Sequence, residues 1–156
     1  MKFVFMTLAS SNEAWSLEAR QLYQQKIGHY VSFEHKHLKP KKHARENKDQ
    51  KIKSESDEIL QQIENSDFLI LFDEKGKTFD SVAFSRYLEQ QMGSGKRRLV
   101  FLIGGAFGVS EEVKSRANLK VSLSTFVFNH LVAEVVALEQ IYRALTIQKN
   151  IPYHNI

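Results

Sequence analysis

The sequence predicts an α/β fold, a mostly parallel sheet with helices on both faces. Two observations predict it. Five short apolar runs alternate with segments whose apolar residues recur at helical spacing, the pattern of βαβ units. The stretch from Leu99 to Val113 then shows one such unit in miniature: a buried strand, a glycine turn at Gly104, Gly105 and Gly108, and a helix restart at Ser110-Glu111-Glu112. At 156 residues the chain is long enough for one domain with a proper core and too short for two comfortable ones, so residues 1–156 are expected to form a single domain.

The first run, Phe3 to Leu8, follows a single lysine and leads straight into a helix start at Asn12-Glu13-Ala14-Trp15, so it fits a buried strand better than a signal peptide. A helix from Asn12 to Tyr30 carries Trp15, Leu22 and Ile27 and ends near Gly28. The second strand spans Val31 to Leu38. Beyond a linker around Pro40, a helix from Asp49 to Ile63 places Ile52, Ile59, Leu60 and Ile63 on one face. The third strand, Phe68 to Phe72, is closed by the turn residues Asp73 to Lys77. A helix from Phe79 to Met92, a strand from Leu99 to Ile103, a short helix from Val109 to Ala117 and a strand at Val121 to Leu123 follow. The last helix, Leu131 to Ile147, is broken only by Glu134, Glu139, Gln140 and Arg143, which predicts burial on most sides, in the core or in a dimer interface. Glu139 and Arg143 stand four residues apart and predict a helix salt bridge. A tail, Asn150 to Ile156, contains Pro152-Tyr153-His154 and is compatible with docking.

Several chemistries are excluded. The chain has no cysteine, so it has no disulfide, thiolate metal site or cysteine nucleophile, which suits a reducing cytoplasm. No segment approaches the roughly 20 apolar residues that span a bilayer. The glycine turn matches neither the dinucleotide fingerprint nor a phosphate loop, because Gly108 is followed by Val109 and Ser110 and no acidic residue arrives at the required distance. Glu111 and Glu112 would also compete with a phosphate for the donors of the following helix. A ligand without phosphate, or one carrying positive charge, fits this turn; the plain alternative is that Ser110, Glu111 and Glu112 only cap a helix. Net charge is +4, but Lys36 to Lys53 holds eight lysines and arginines against two acids. With His35, His37 and His43 beside it, this segment is the footprint of a polyanion site or else a solvated loop, and Lys96-Arg97-Arg98 either extends it or precedes a strand.

Three segments together resemble the RlmH family, SPOUT-class methyltransferases that modify pseudouridine in large-subunit ribosomal RNA. They are Leu102-Ile103-Gly104-Gly105 with Gly108, Leu123-Ser124 through Phe128 with His130, and Glu139 to Ala144 followed by Pro152-Tyr153-His154. The resemblance implies a C-terminal trefoil knot, a homodimer that completes the active site, and an S-adenosylmethionine site. That site would involve Phe72, Gly104, Leu123, Ser124, Thr125, Phe126, Val127 and Phe128. It further implies methylation of the imide nitrogen, N-3, of a pseudouridine in 23S rRNA, with the ribosome or its RNA as partner and no metal or membrane. His154 is then the candidate base or orienter, with Tyr153 and Arg143 positioning the substrate base. The chain departs from the family at Phe72, usually leucine, at Asn129, usually proline, and at Glu134, usually arginine, and Ala9-Ser10-Ser11 replaces a glycine-containing loop. The change at 134 is expected to reverse a charge near the dimer or RNA surface. A non-catalytic ribosome-binding module is the alternative, and a nucleotide-dependent oxidoreductase a weaker one.

Overall fold

The computed structural model describes residues 1–8, 13–40 and 47–155; the expected helix start at Asn12, the Ala9-Ser10-Ser11 loop and the centre of the basic segment, residues 41–46, lie outside them. Strands β1 (Lys2–Leu8), β2 (Ser32–Leu38), β3 (Phe68–Thr78), β4 (Arg98–Ile103) and β5 (Leu119–Ser122) alternate with helices α1 (Ala14–Gly28), α2 (Lys48–Gln62), α3 (Ser81–Met92), α4 (Glu111–Arg116) and α5 (His130–Gln148). The strands form one sheet in the order β2-β1-β4-β3-β5, and every pairing between them is parallel.

Side-chain alternation divides the core into two layers. Phe3 and Phe5 of β1, Leu99 and Phe101 of β4 and Ile70 of β3 face α1, α3 and α5, which supply Ile27, Leu88, Leu138 and Ile141. Val4 and Met6, Val100 and Leu102, and Leu69 and Leu71 face the opposite way, against Ile59 of α2 and Val113 of α4. Strands buried on both faces must be apolar along their length, which is why these runs lack the usual alternation of a half-exposed strand. Helix starts carry their own stops: Asn47 and Gln50 form a reciprocal capping box on α2, Asp80 caps α3, and Ser110 caps α4.

Three readings are changed or decided. β3 does not end at Phe72. It resumes at Lys77 and Thr78 after a register shift against β5, and the Asp73 to Gly76 segment is an excursion within the strand, turned by the Asp73 carboxylate accepting from the Lys75 amide at 2.8 Å. Arg98 does not extend a basic surface, because its guanidinium donates to Asp67 through Nε at 2.8 Å and Nη2 at 2.5 Å, and to the Gln62 carbonyl at 3.0 Å.

The third change concerns the polar groups buried beside α5. Glu134 is not near a surface: it is fully buried and accepts from Arg20 of α1 at 2.9 Å, with Arg20 3% exposed. Burial alone would raise its carboxyl, but His130 and Arg20 outweigh that and hold it below the usual value. Nearby, the Gln24 amide donates to His35 Nδ1, His35 Nε2 donates to the Thr7 hydroxyl, and that hydroxyl donates to His37 Nδ1, each at 2.9 Å. His35 and His37 therefore point inward as neutral rings and add no charge to the basic segment. Desolvation, helped by His37, pushes His35 down to about 4, and desolvation also lowers His37.

Two outcomes follow from these buried groups. Arg20→Met strands the Glu134 carboxylate and should cost about 3–5 kcal/mol in urea unfolding, whereas Arg20→Met with Glu134→Met together should recover most of it. Both imidazoles are neutral in the fold but take up protons in the unfolded chain below about pH 6.5, so stability should fall as pH drops from 6.5 toward 4. His35→Gln should flatten that slope in midpoints measured across the same range.

Candidate active site

The C-terminal ends of β3, β4 and β5 lie side by side, because β3 pairs with β4 on one side and β5 on the other. In a parallel sheet this is where loops leave room for ligands. Here they enclose a cleft of about 730 Å³, walled by the β3 excursion, the glycine turn after β4 and the segment between β5 and α5. Phe72, Gly104, Leu123, Ser124, Phe126, Val127 and Phe128 all line it; Thr125 is exposed and lies outside the lining.

The turn is tight for a local reason. Gly108 sits at φ 80° and its amide donates to the Gly105 carbonyl at 3.0 Å, while a Cβ on Gly104 would meet Val109 Cγ1 at 2.6 Å. Glycine at 104 lets Val109 close down on the strand end, and it leaves backbone as the surface of the cleft. Opposite, the Ser124 hydroxyl accepts from the Phe126 amide at 3.0 Å and shapes the 123–129 segment. Asn129, where the resemblance expects proline, caps α5 by accepting from the Leu131 amide at 3.0 Å.

The lining is chemically mixed in a way that fits S-adenosylmethionine. Leu71, Phe72, Ile103 and Leu123 offer apolar surface for a ring, Asp73 and Glu74 offer negative charge for a cation, Lys48, Lys75 and Lys114 bring positive charge for a carboxylate, and bare backbone at 104 offers polar contacts to an edge. Glu111 does not oppose this, since it is paired with Lys114 at 2.9 Å and faces solvent.

Arg143, Tyr153 and His154 also come together, but not in the cleft. Glu139 organises them: its Oε1 accepts from Arg143 Nη2 at 2.6 Å, Arg143 Nε at 3.0 Å and the Tyr153 hydroxyl at 3.0 Å. The Arg143 guanidinium lies 4.7 Å from the centre of the Tyr153 ring and donates through Nη1 to His154 Nδ1 at 3.1 Å. A guanidinium cannot accept, so Nδ1 is the unprotonated nitrogen and a neutral His154 carries its proton on Nε2. Burial, followed by the Tyr23 hydroxyl and the Glu139 carboxylate, pushes the Tyr153 phenol above its ordinary value. Tyr153 is thus a fixed donor. The expected Glu139–Arg143 helix pair is present, and the tail is built onto it.

His154 lines a second cavity, of about 500 Å³, with Gln140, Ser81 and Asp80; Phe72 and Leu123 are the two residues common to this cavity and the cleft. Sequence reasoning assigned no role to His130, which lines the cleft at the start of α5 with its Nε2 3.0 Å from Glu134 Oε1, off the in-line direction of a hydrogen bond. The i, i+4 spacing of His130 and Glu134 was the available signal. Among the described residues no three His, Cys, Asp or Glu side chains form a metal-binding group, and no helix is long and apolar enough to cross a membrane.

Residues 1–154 match a family described as "Predicted SPOUT methyltransferase". Ribosomal RNA large subunit methyltransferase H of Bdellovibrio bacteriovorus is 52% identical over 156 residues, covering 100% of both chains. The proteins of that name from Cytophaga hutchinsonii and Parabacteroides distasonis are 39% and 38% identical, each covering 99% of this chain and 100% and 99% of their own. A solved structure of a hypothetical protein superposes with a TM-score of 0.53 at 11% identity, over 94% of this chain and 68% of that one, and shows likeness of fold alone.

Tyr153→Phe removes one hydrogen bond from the tail without removing the ring. It should weaken tail docking by about 1 kcal/mol, seen as roughly fivefold faster amide exchange at residues 151–155 with exchange in the sheet unchanged.

Proposed function

The chain belongs to the SPOUT methyltransferase family and, within it, to the family of ribosomal RNA large subunit methyltransferase H, and from that membership we propose that it transfers a methyl group from S-adenosylmethionine to N-3 of a pseudouridine in 23S rRNA. The observation that carries this reading is the convergence of Phe72, Gly104 and the 123–128 segment on one cleft at three adjacent strand ends. The protein acts in this reading as a cytoplasmic, single-domain enzyme with a knotted C-terminal part.

When bound, S-adenosylmethionine supplies an electrophilic methyl group on a sulfonium. This chain's residues must hold the target imide in line with it and favour loss of the imide proton. His154 presents an Nε2 proton, not a lone pair, while Arg143 holds Nδ1. The tail accordingly works as an orienter: donors from His154 and Arg143 on the imide carbonyls stabilise the developing anion and let solvent take the proton. Glu139 fixes both Arg143 and Tyr153, so the donors are set before substrate arrives.

Arg143 lies roughly 20 Å along α5 from the cleft end of that helix, at 1.5 Å per residue. Within one chain His154 lines the neighbouring cavity that shares Phe72 and Leu123 with the cleft, and a homodimer in which one chain's tail meets the partner's cleft would bring Arg143 to it as well. Uncovered apolar side chains suit such a contact: Phe126 and Val127 are 80% and 83% exposed, and Trp15 and Leu22 stand out from α1. The non-catalytic alternative rested on Asn129 and Glu134. The first caps a helix and the second fills a buried ion pair, so no observation favours it.

Purified protein should bind S-adenosylmethionine in calorimetry and incorporate one methyl group per ribosome lacking the modification; ribosomes that gain none would overturn the reading. His154→Ala should lower kcat by about 10²-fold. If His154 is an orienter, that loss is the same across pH 6–9; a loss confined to one limb of the profile would assign it the base role instead.

A further inference from the structure

The glycine turn carries one large side chain that the cleft's interior does not use. Phe107 stands at the rim, 49% exposed. Two ammonium groups from the first turns of α2 reach its ring: Lys51 Nζ lies 5.5 Å and Lys48 Nζ 5.8 Å from the ring centre, near the outer limit of a cation–π contact. The pairing is not accidental to a loose loop. The Ser110 amide, just past the turn, donates at 2.9 Å to Ser56 Oγ, a buried side chain of α2, so helix and turn are fixed to each other. Lys51 has the Glu55 carboxylate at 3.9 Å, the outer edge of an ion pair, and its side chain is 44% exposed.

We propose that Phe107, Lys48 and Lys51 form a stacking site for an unpaired base of single-stranded RNA at the mouth of the cleft, the ring taking the base and the ammoniums its flanking phosphates. This rests on the RNA-methyltransferase reading and adds to it where the strand runs. A flat aromatic face with adjacent cations is the common means of holding a strand without reading its sequence. The charge argument agrees: Lys48 and Lys51 belong in sequence to the segment from Lys36 to Lys53, with eight lysines and arginines against two acids, a composition suited to a phosphate backbone. A base presented to a methyl donor must leave its stack, and an exposed aromatic ring beside the cleft gives its neighbour a surface to stack on.

The test uses the full chain, a uridine-rich single-stranded RNA oligonucleotide and S-adenosylmethionine, each titrated separately. Phe107→Ala should weaken RNA binding about 5- to 100-fold, the equivalent of losing one stacked base, and leave S-adenosylmethionine affinity within about twofold. Phe107→Trp should keep RNA affinity; in a Trp15→Phe background, which removes the chain's one native tryptophan, RNA should quench its fluorescence. Lys48→Ala with Lys51→Ala should reduce the salt slope of RNA binding by about 1.4, or 0.7 per phosphate on a single strand. RNA binding by Phe107→Ala equal to wild type would overturn the proposal, as would loss of S-adenosylmethionine binding instead, which would make Phe107 a cover for the cofactor's own adenine. Because oligonucleotide binding is read without turnover, a protein that stacks RNA through Phe107 yet methylates no ribosome would refute the activity and keep the site.

Discussion

The position of β3 between β4 and β5 is the constraint on which everything else in this molecule depends. Both neighbours are parallel to it, and both are distant in sequence, so their C-terminal ends can meet only if two helical crossovers return the chain to the same edge. Phe72, Gly104 and Leu123, 32 and 19 residues apart in the chain, become neighbours through that pairing alone. The excursion at Asp73 to Gly76 follows from it as well. β3 must pass the shorter β5 twice, pairing Val121 first through Phe72 and again through Lys77, and the four residues between have nowhere to go except into the wall of the cleft.

α5 couples this edge to the rest of the molecule. Its first turn lines the cleft through His130 and Ala133, its second turn is pinned to α1 by the Arg20–Glu134 pair, and its second half carries the Glu139–Arg143 pair that docks the tail. One rigid helix thus sets the spacing between the cleft and the tail donors, and a buried ion pair sets its height against α1. Such a pair adds little net stability, since desolvating two charges offsets their attraction. What it does add is register, because a one-turn slip of α5 would bury two unpaired charges.

Legibility in the sequence followed the kind of information each feature needed. Element existence was legible throughout, because a doubly covered parallel sheet demands apolar runs and its helices demand a 3.6-residue period. The cleft residues were legible as strand-end residues joined by a resemblance, and all except Thr125 line one space. What was not legible depends on neighbours far along the chain. Asp73 to Lys77 has the composition of a strand-ending turn, and only β5 on the far side shows that the strand continues. His35 and His37 sit among lysines, yet strand alternation turns them inward onto Thr7 while Lys36 turns to the opposite face and donates to Gln62 of α2. Glu134 looked like a surface charge reversal because its partner, Arg20, lies 114 positions away.

Charges of both signs surround the cleft. Asp73 and Glu74 of the β3 excursion share its lining with Lys75 and Lys114, and Lys48 joins them from α2, with Lys51 beside it on the Phe107 ring. An opening with both signs of charge suits two ligands of opposite character, a small cation and a polyanion. Over the length of the opening, salt screens one set from the other only partly, since the Debye length is about 8 Å at physiological ionic strength. A bound cation would therefore raise the potential felt by an anion arriving at the rim. Loading the cleft first should favour the strand that follows.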